Sequence, residues 1–277
     1  MWIIVVILLV FIWLCFDDSI IIDEIEIHSR KVESTIKIAV LADFHCGNAE
    51  EVLMHMNEIM PDVILIPGDL IDENTRLDSV HQLLHGIKKW PCFYVSGNHE
   101  YKRGRTYQSY DQMIKILEEY NIVHLENESC QIEVDGNVLW IGGIQDHCSD
   151  KKRNSDELDK EHISVACRNL KKDVFSVFLM HRPEQYKLIE EYPIDLFISG
   201  HAHGGQWRLP GINGLFAPQQ GLFPKRAGGV YPLKSGTHVV SRGLAHYWFL
   251  PRLFNHREIN VITIKKGVNT NWWGPSK

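Results

Sequence analysis

Residues 194–203 read Ile-Asp-Leu-Phe-Ile-Ser-Gly-His-Ala-His, an apolar run that ends in two histidines separated by one residue. A short apolar run bounded by glycine is typical of a buried β-strand. Four further runs of this kind, at 36–41, 63–66, 93–95 and 175–180, are also followed by polar residues. The polar blocks after them are Asp43-Phe44-His45, Gly68-Asp69, Gly97-Asn98-His99-Glu100 and His181. The carboxyl ends of neighbouring strands in an α/β sheet share one edge, where ligands bind, so the sequence predicts that these blocks meet.

The side chains of these blocks offer oxygen and imidazole nitrogen but no sulfur. They comprise two aspartates, one asparagine and five histidines. Such a donor set suits manganese, iron, zinc or nickel rather than a thiolate site. Asp43 and His45 are two positions apart, as are His201 and His203, and in an extended segment this spacing places both side chains on one face. Each block alone has an ordinary interpretation as a turn, and His181 alone as a core histidine, but together they predict a metal site.

Length and composition narrow the classes of protein to consider. At 277 residues the chain suits one large domain, or one domain with an appendage. Its formal net charge is −6, which argues against a nucleic-acid partner held by a basic surface. The six cysteines include no C-x-x-C pair, so we interpret them as reduced thiols rather than as a zinc or redox site. The sequence leaves the oligomeric state open.

The first sixteen residues are wholly apolar and are followed by Asp17 and Asp18. As a helix they would extend about 24 Å, slightly less than the roughly 30 Å hydrocarbon core of a bilayer. They lack the basic start and the small residues of a cleaved signal peptide. The sequence therefore predicts a single membrane anchor over residues 1–17, with a buried first strand or helix as the alternative. Arg30 and Lys31 follow the segment and favour a cytoplasmic position for the domain at the cell membrane.

Periodicity and turn signals predict the remaining elements. Helices are expected over 50–60, 77–89, 106–120, 162–170 and 183–191, paired edge strands within 20–38, a hairpin at 131–134 and 138–141, and closing strands at 237–241 and 258–264. The charged segment 150–160 is expected to be a solvated loop. Residues 204–235 are rich in Gly and Pro and are expected to form a long irregular loop, which is uncommon unless it serves a site.

In order and in spacing, the five polar blocks resemble the motifs of the calcineurin-like metallophosphoesterases. The matching motifs are Asp43-x-His45, Gly68-Asp69, Gly97-Asn98-His99-Glu100, His181 and Gly200-His201-x-His203. The resemblance runs from about residue 36 to the C-terminus and implies an α/β fold, a four-layer α-β-β-α sandwich formed by a domain at 18–277. Loops at 200–206, 222–224, 241–244 and 251–255 also resemble a membrane-anchored bacterial branch of this family.

The resemblance implies a role for each residue of the blocks. One divalent ion would be held by Asp43, His45 and His203, and the second by Asn98, His181 and His201, with Asp69 bridging. The expected metal is Mn²⁺, with Fe, Zn or Ni as alternatives. His99 would stand beside the leaving group as a general acid. Two divalent ions about 3.5–4 Å apart can clamp a phosphoryl group and activate water for attack.

The expected function is hydrolysis of a phosphodiester or pyrophosphate bond. Because an anchor would confine enzyme and substrate to one surface, a lipid-linked substrate is expected, and UDP-2,3-diacylglucosamine of lipid A synthesis is the candidate that the resemblance offers. The alternatives are a general phosphodiesterase or phosphomonoesterase acting on soluble substrates, and a non-catalytic scaffold.

Two residues outside the blocks are candidates for substrate binding, and two apolar clusters are candidates for lipid contact. Arg242 would bind the substrate phosphate or pair with a carboxylate, and Asp146 would approach the site or serve a turn. The clusters, residues 247–250 with Phe254 and the pair Trp272-Trp273, would contact lipid or pack within the protein.

Overall fold

The computed structural model describes residues 2, 5, 15–17, 19–72, 77–101, 110–146, 155–209, 211–246 and 250–268. The helices within these residues are α1 (Ala49–Ile59), α2 (Asp78–Ile87), α3 (Tyr110–Glu119), α4 (Ser155–Ala166) and α5 (Tyr186–Ile189). The strands are β1 (Ile20–Ser29), β2 (Ile36–Val40), β3 (Val63–Ile66), β4 (Cys92–Tyr94), β5 (Val123–His124), β6 (Glu128–Val134), β7 (Asn137–Gly143), β8 (Phe175–Leu179), β9 (Leu196–Ser199), β10 (Phe216–Ala217), β11 (Gly221–Leu222), β12 (Gly229–Pro232), β13 (Thr237–Val240) and β14 (Arg257–Lys266).

Most of the strands form two six-stranded sheets. The first has the order β1-β14-β2-β3-β4-β5 and the second β12-β13-β9-β8-β7-β6. β2 to β5 run parallel in the first sheet, and β7, β8, β9 and β13 run parallel in the second. β10 and β11 form a separate antiparallel hairpin. Parallel pairing brings the carboxyl ends of the central strands to one edge of each sheet.

Three apolar clusters define the layers. One lies between the first sheet and α1 to α3, the second between the two sheets, and the third between the second sheet and α4 and α5. Successive side chains of a strand point to opposite faces, so Ile38 and Val40 of β2 face the second sheet while Ala39 faces the helices. The order helices, sheet, sheet, helices agrees with the expected α-β-β-α sandwich.

Local signals explain where several elements begin and end. Asn48 caps α1 by accepting a hydrogen bond from the Glu51 N–H, and α1 stops at Met60, which has a left-handed conformation and precedes Pro61. The predicted hairpin is confirmed as β6 and β7. Its turn residues Asp135 and Gly136 both have positive φ, as tight hairpin turns require.

Three sequence-based expectations about the elements were wrong. β1 and β2 do not pair with each other, because β14 from the far end of the chain lies between them. The charged segment expected to be a loop contributes residues 155–160 to α4, since an exposed helix face accommodates charge. The region 204–235 contains the hairpin of β10 and β11 and the strand β12, so it is not wholly irregular.

The predicted membrane anchor, residues 1–17, lies largely outside the described residues, as do residues 247–249 and 272–273. Across the described part of the chain, no helix is both long and apolar enough to span a bilayer. The N-terminal segment joins the domain at Cys15, which is buried and whose carbonyl accepts a 2.7 Å hydrogen bond from the Phe254 N–H.

Candidate metal centre

The five polar blocks meet at one end of the molecule. β2, β3 and β4 of the first sheet and β8 and β9 of the second each lead directly into one block. The buried side chains among them are Asp43, His45, Asp69, Asn98, His181 and His201, while His99 and His203 are half-buried. Charged and imidazole groups are rarely buried together unless they pair or bind a cation.

Three groups of these side chains offer ligand atoms within 4.8 Å of one another. The groups are Asp43, His45 and His203; Asp69, His181 and His201; and His45, Asp69 and His99. The third group shares His45 with the first and Asp69 with the second. The Asp69 carboxylate therefore lies within reach of both outer groups, which is the position that a ligand shared by two ions needs.

Hydrogen bonds fix which nitrogen of two histidines faces the centre. Nδ1 of His181 is 2.8 Å from the carbonyl oxygen of Pro67, which can only accept, so Nδ1 carries the proton. Nε2 of His181 then faces inward, 3.2 Å from Oδ2 of Asp69 and 3.0 Å from Nδ1 of His201. Nε2 of His201 contacts the amide oxygen of Gln219, which leaves Nδ1 directed at the centre. Partners of this kind orient histidines that ligate metals.

Asn98 provides an independent test of whether the residues fit a metal. Its side-chain oxygen Oδ1 is buried and has no hydrogen-bond partner among the described residues. A buried amide oxygen without a donor is destabilising by about 1–3 kcal/mol. A cation at this point would satisfy the oxygen, so the donor set fits divalent metal ions that accept oxygen and nitrogen ligands.

The backbone around the centre is strained. Five residues of the blocks have φ between 46° and 66°, in the left-handed region: Asp43, His45, Asp69, His201 and His203. This conformation costs a residue other than glycine about 1–2 kcal/mol. Such outliers concentrate where function constrains the chain.

The strain also corrects one interpretation of the sequence. The two-residue spacing does not act through strand alternation, because β2 ends at Val40 and β9 at Ser199, before either pair begins. The paired side chains converge because left-handed turns aim them inward.

Two glycines permit this close packing. A Cβ atom on Gly97 would lie 2.2 Å from Oδ1 of Asp69, and one on Gly200 would lie 2.5 Å from Oδ2 of Asp43. Both distances are far shorter than a van der Waals contact. The glycines within the blocks are therefore required by the approach of backbone to carboxylate.

Backbone N–H groups hold the two aspartates in place. Both oxygens of Asp43 accept hydrogen bonds from the His201 N–H, at 3.0 and 3.1 Å, which links the two sheets. Oδ1 of Asp69 accepts a 2.9 Å bond from the His99 N–H. Oδ2 of Asp69 remains directed towards His181 and His45.

Glu100 has a larger role than its sequence context indicated. Its carboxylate is buried and accepts hydrogen bonds from the N–H groups of Leu70 (2.7 Å), Gly97 (2.8 Å) and Asp69 (3.2 Å). It therefore joins the loop that carries Asp69 to the loop that carries Asn98. Burial raises the pKa of Glu100 to about 8, and the negative charge of Asp69 adds to this effect.

Burial and mutual charge shift the pKa values of the proposed ligands. Burial raises the pKa of Asp43 to about 7. Burial also raises the pKa of Asp69, but the charges of His181 and His45 outweigh this and hold it well below its usual range. Burial lowers the pKa of His201 to about 4 and places that of His203 well below its usual value. Both shifts favour the neutral imidazole, which is the form that binds metals, whereas Asp69 outweighs burial at His181 and raises the pKa of that residue to about 10.

The two candidate substrate-binding residues have protein partners. Nε of Arg242 donates to the Glu258 carboxylate, and its backbone N–H donates to the same group at 2.7 Å, so the alternative of a carboxylate partner is observed. Asp146 accepts two hydrogen bonds from Arg182, at 2.6 and 3.0 Å, beside His181. Neither residue belongs to the three groups, and substrate contact by either stays a prediction.

The layers and the centre define a class: an α-β-β-α sandwich with grouped metal ligands at the carboxyl ends of its strands. The family model of the calcineurin-like phosphoesterases matches residues 36–205 of the sequence. The chain therefore belongs to that family. The family uses divalent metal ions, in agreement with the donor groups described above.

Individual relatives support the same assignment. An uncharacterized metallophosphoesterase of Helicobacter pylori is 29% identical to this chain. The match covers 84% of this chain and 60% of the length of that relative. One of Aquifex aeolicus is also 29% identical, over 83% of this chain and 85% of its own. The crystal structure of TT1561 of Thermus thermophilus has a TM-score of 0.53 at 11% identity, covering 76% of this chain and 91% of that one, which shows a shared fold.

Proposed function

We propose that the protein is a metal-dependent phosphohydrolase that cleaves a phosphodiester or pyrophosphate bond. The observation that carries this proposal is the position of Asp69, whose carboxylate lies within reach of both outer groups of ligand atoms. A single buried carboxylate shared in this way suits two ions rather than one. Membership of the calcineurin-like phosphoesterase family supports the reaction class.

In this proposal each residue of the blocks has one role. Asp43, His45 and His203 hold one ion, Asn98, His181 and His201 hold the other, and Asp69 bridges them. The grouping of ligand atoms and the unsatisfied oxygen of Asn98 support this division. Manganese is the proposed metal, with iron, zinc or nickel as alternatives, because all accept oxygen and imidazole ligands.

When bound, two such ions activate water and neutralise charge on the phosphoryl oxygens. The side chains of the protein supply positioning and proton transfer. His99 is proposed to donate a proton to the departing oxygen, which is the role that the family resemblance implies. Its half-buried ring lies beside the proposed ligands, edge-on to His45 with centroids 4.6 Å apart. The hydrogen bond from the backbone N–H of His99 to the Asp69 carboxylate holds the residue beside the centre.

Hydrolysis of bis-p-nitrophenyl phosphate tests the proposed reaction class. The purified protein with added Mn²⁺ is expected to hydrolyse this diester, and a chelator is expected to abolish the activity. Restoration by fresh Mn²⁺ would exclude damage by the chelator. A metal-loaded protein that fails to hydrolyse any simple ester would favour the alternative of a non-catalytic scaffold.

His99→Ala separates the proposed proton donor from the proposed ligands. The variant is expected to keep its metal content and to lose about 10²–10⁴-fold in turnover on esters with poor leaving groups. Esters with good leaving groups should be affected much less, because they need no proton. Loss of metal from the variant, measured by mass spectrometry of bound elements, would instead make His99 a ligand.

The finer proposal is a lipid-linked substrate, for which UDP-2,3-diacylglucosamine is one candidate. It is supported by the apolar sequence of residues 1–16, proposed as a membrane anchor that places the domain at 18–277 on the cytoplasmic side. A soluble phosphodiester or phosphomonoester is the alternative. Incubating detergent-purified protein with nucleotide-linked lipids, phospholipids and soluble esters, with products identified by mass spectrometry, distinguishes these classes.

A further inference from the structure

Exposed apolar side chains cluster beside the metal centre. We call this cluster the apolar patch, and it consists of Trp207, Leu209, Phe216, Leu222, Phe223 and Leu250. Leu222 and Phe223 are 67% and 61% exposed. Scattered exposed apolar residues are ordinary, but a contiguous set next to a site marks an interaction surface.

The patch is held together by backbone and side-chain hydrogen bonds. Phe216 and Leu222 are cross-strand partners, so their side chains lie on one face of the hairpin. The Phe223 N–H donates to the Leu215 carbonyl at 2.8 Å, and the Leu215 N–H donates to the Trp207 carbonyl at 2.7 Å. The hairpin and Trp207 are therefore neighbours.

The same connections continue to Leu250. The indole N–H of Trp207 donates to the Pro251 carbonyl at 3.0 Å, and the side chain of Gln206 donates to the Leu250 carbonyl. These hydrogen bonds connect the hairpin, through Trp207, to the segment that precedes β14.

The patch borders the metal centre directly. The turn between β10 and β11 carries Gln219, whose amide oxygen contacts the ring of His201. Trp207 follows the short 3₁₀ turn His203–Gly205, which carries a proposed ligand. A membrane or a protein that covers the patch would therefore lie next to the metal centre and to a substrate bound there.

The charged residues in the sequence around the apolar patch indicate what covers it. From Leu196 to Arg257 the sequence has no Asp or Glu and a total of seven Lys or Arg residues, whereas the formal net charge of the whole chain is −6. Arg242 and Arg257 pair with Glu258 and Glu51, whereas the side chains of Lys225 and Lys234 are exposed, the former two residues after Phe223. Apolar side chains with basic neighbours suit the surface of an anionic membrane.

The N-terminal segment leads to the same surface. The carbonyl of Cys15 accepts a hydrogen bond from the Phe254 N–H, and the adjacent Leu253 forms a β-bridge with Trp207. The apolar sequence of residues 1–14 therefore connects to the domain beside the patch. Cys15, the described residue at which this segment meets the domain, therefore lies next to the patch, as contact of both with one membrane requires.

We propose that the apolar patch docks on an anionic phospholipid bilayer and presents the metal centre to the membrane surface. Phe216, Leu222 and Phe223 enter the headgroup region, and Lys225 contacts lipid phosphates. The consequence that the substrate is drawn from the membrane rests on the proposed phosphohydrolase function; the docking itself does not.

Hydrogen–deuterium exchange of the full-length chain tests the docking locally. The protein is compared in an uncharged detergent and in nanodiscs of phosphatidylcholine with and without phosphatidylglycerol. Amides of residues 214–224 are expected to exchange about tenfold more slowly in the anionic nanodiscs, since lipid covers the hairpin. Lys225→Glu should reduce the difference between the anionic and the neutral nanodiscs.

Paired variants keep the test specific. Leu222→Ser combined with Phe223→Ser is expected to remove the added protection. Met54→Ser combined with Val165→Ser, at exposed positions of α1 and α4, is expected to retain it. Both double variants should hydrolyse bis-p-nitrophenyl phosphate in detergent like the parent protein, which confirms that they fold.

Three results would overturn the proposal. One is an unchanged exchange rate of residues 214–224 in anionic nanodiscs. The second is full protection already present in dilute detergent, which would mean that the chain's own N-terminal segment covers the patch. The third is protection that follows protein concentration rather than lipid, which would indicate a second copy of the chain. Protection without any ester hydrolysis by the parent would refute the proposed function and leave the docking intact.

Discussion

The interior between the two sheets and the loops at the carboxyl ends of the strands differ in backbone conformation and in the side chains that they bury. Between the sheets, regular strands bury apolar side chains such as Ile38, Leu139 and Val177 without exposure to solvent. A few residues further along the same strands, the chain adopts left-handed conformations and buries carboxylates and imidazoles. The comparison indicates that the interior supplies stability, while the loops, which are strained, depend on what they bind.

This contrast makes different substitutions separable by measurement. A change between the sheets should lower the free energy of unfolding and leave the chemistry of the folded protein intact. A change in the loops should act most strongly on metal binding and turnover. Removing one partner of a buried ion pair can also destabilise the metal-free protein, because the remaining charge then has no counterpart.

The largest effect is expected from Asp69→Asn. Hydrolysis of bis-p-nitrophenyl phosphate should fall by more than about 10³-fold, exceeding the loss of one oxyanion-hole donor, because the variant lacks the charge proposed to be shared by both ions. Bound manganese should fall as well, and the metal-free variant should unfold at a lower temperature than the parent, because His45 and His181 lose their charged partner. Asp173→Asn, at an exposed position, is the control. Unchanged metal content and activity in the Asp69 variant would contradict the bridging role.

Leu139→Ala examines the other side of the comparison. Leu139 is fully buried between the sheets, at the end of β7 distant from the site loops, so its truncation should destabilise the protein by about 2–5 kcal/mol. Chemical denaturation measures this change. The kcat of the folded, metal-loaded variant should match the parent protein, and Val138→Ala, at the exposed neighbouring position, should change neither quantity. A large drop in kcat would show that the interior and the site are coupled.

Glu100→Gln is expected to have an intermediate effect. The amide retains the shape but replaces one acceptor oxygen with a donor facing backbone N–H groups of Leu70, Asp69 or Gly97. Metal affinity should weaken about 10–100-fold, as for other residues that orient ligands. Isothermal titration with Mn²⁺ measures it, with the exposed Glu128→Gln as the control. An affinity equal to that of the parent protein would show that Glu100 does not help to position the metal ligands.

The smallest effect concerns pH and lies outside the centre. Burial lowers the pKa of His124 to about 4 from its ordinary value near 6.5. Between these values the unfolded chain binds a proton that the folded protein does not, so stability is lost as pH falls from about 6.5 to about 4. In the presence of a chelator, His124→Phe should lose less stability over this range than the parent. His85→Phe, at an exposed position, controls for removing an imidazole, and identical pH profiles for all three proteins would refute the assignment.

Much of the fold and of the donor set could be predicted from sequence, because both depend on local patterns. Apolar runs followed by Asp, Asn and His identify strands and their ends without knowledge of the partner strand. The sequence could not predict contacts between residues that are far apart along the chain. Nothing local indicates that β14 separates β1 from β2, or that Gln219 reaches His201 across a hairpin. The left-handed turns of Asp43 and His201 were missed because their spacing equally fits a strand.

Glu100 illustrates a different limit. It stands in the same block as Asn98 and His99, so its proximity to the site was evident, but the backbone N–H groups that it binds lie on two separate loops. Only the folded chain brings those N–H groups together. The residues that bind a ligand are therefore easier to recognise in sequence than the residues that hold the binding loops in place.

Anomalous X-ray diffraction from crystals grown with Mn²⁺ tests the central claim most directly. Two anomalous peaks are expected, one among Asp43, His45 and His203 and the other among Asn98, His181 and His201, with the Asp69 carboxylate contacting both. A single peak, or peaks that lie away from Asp69, would contradict the two-ion centre on which the proposed activity depends.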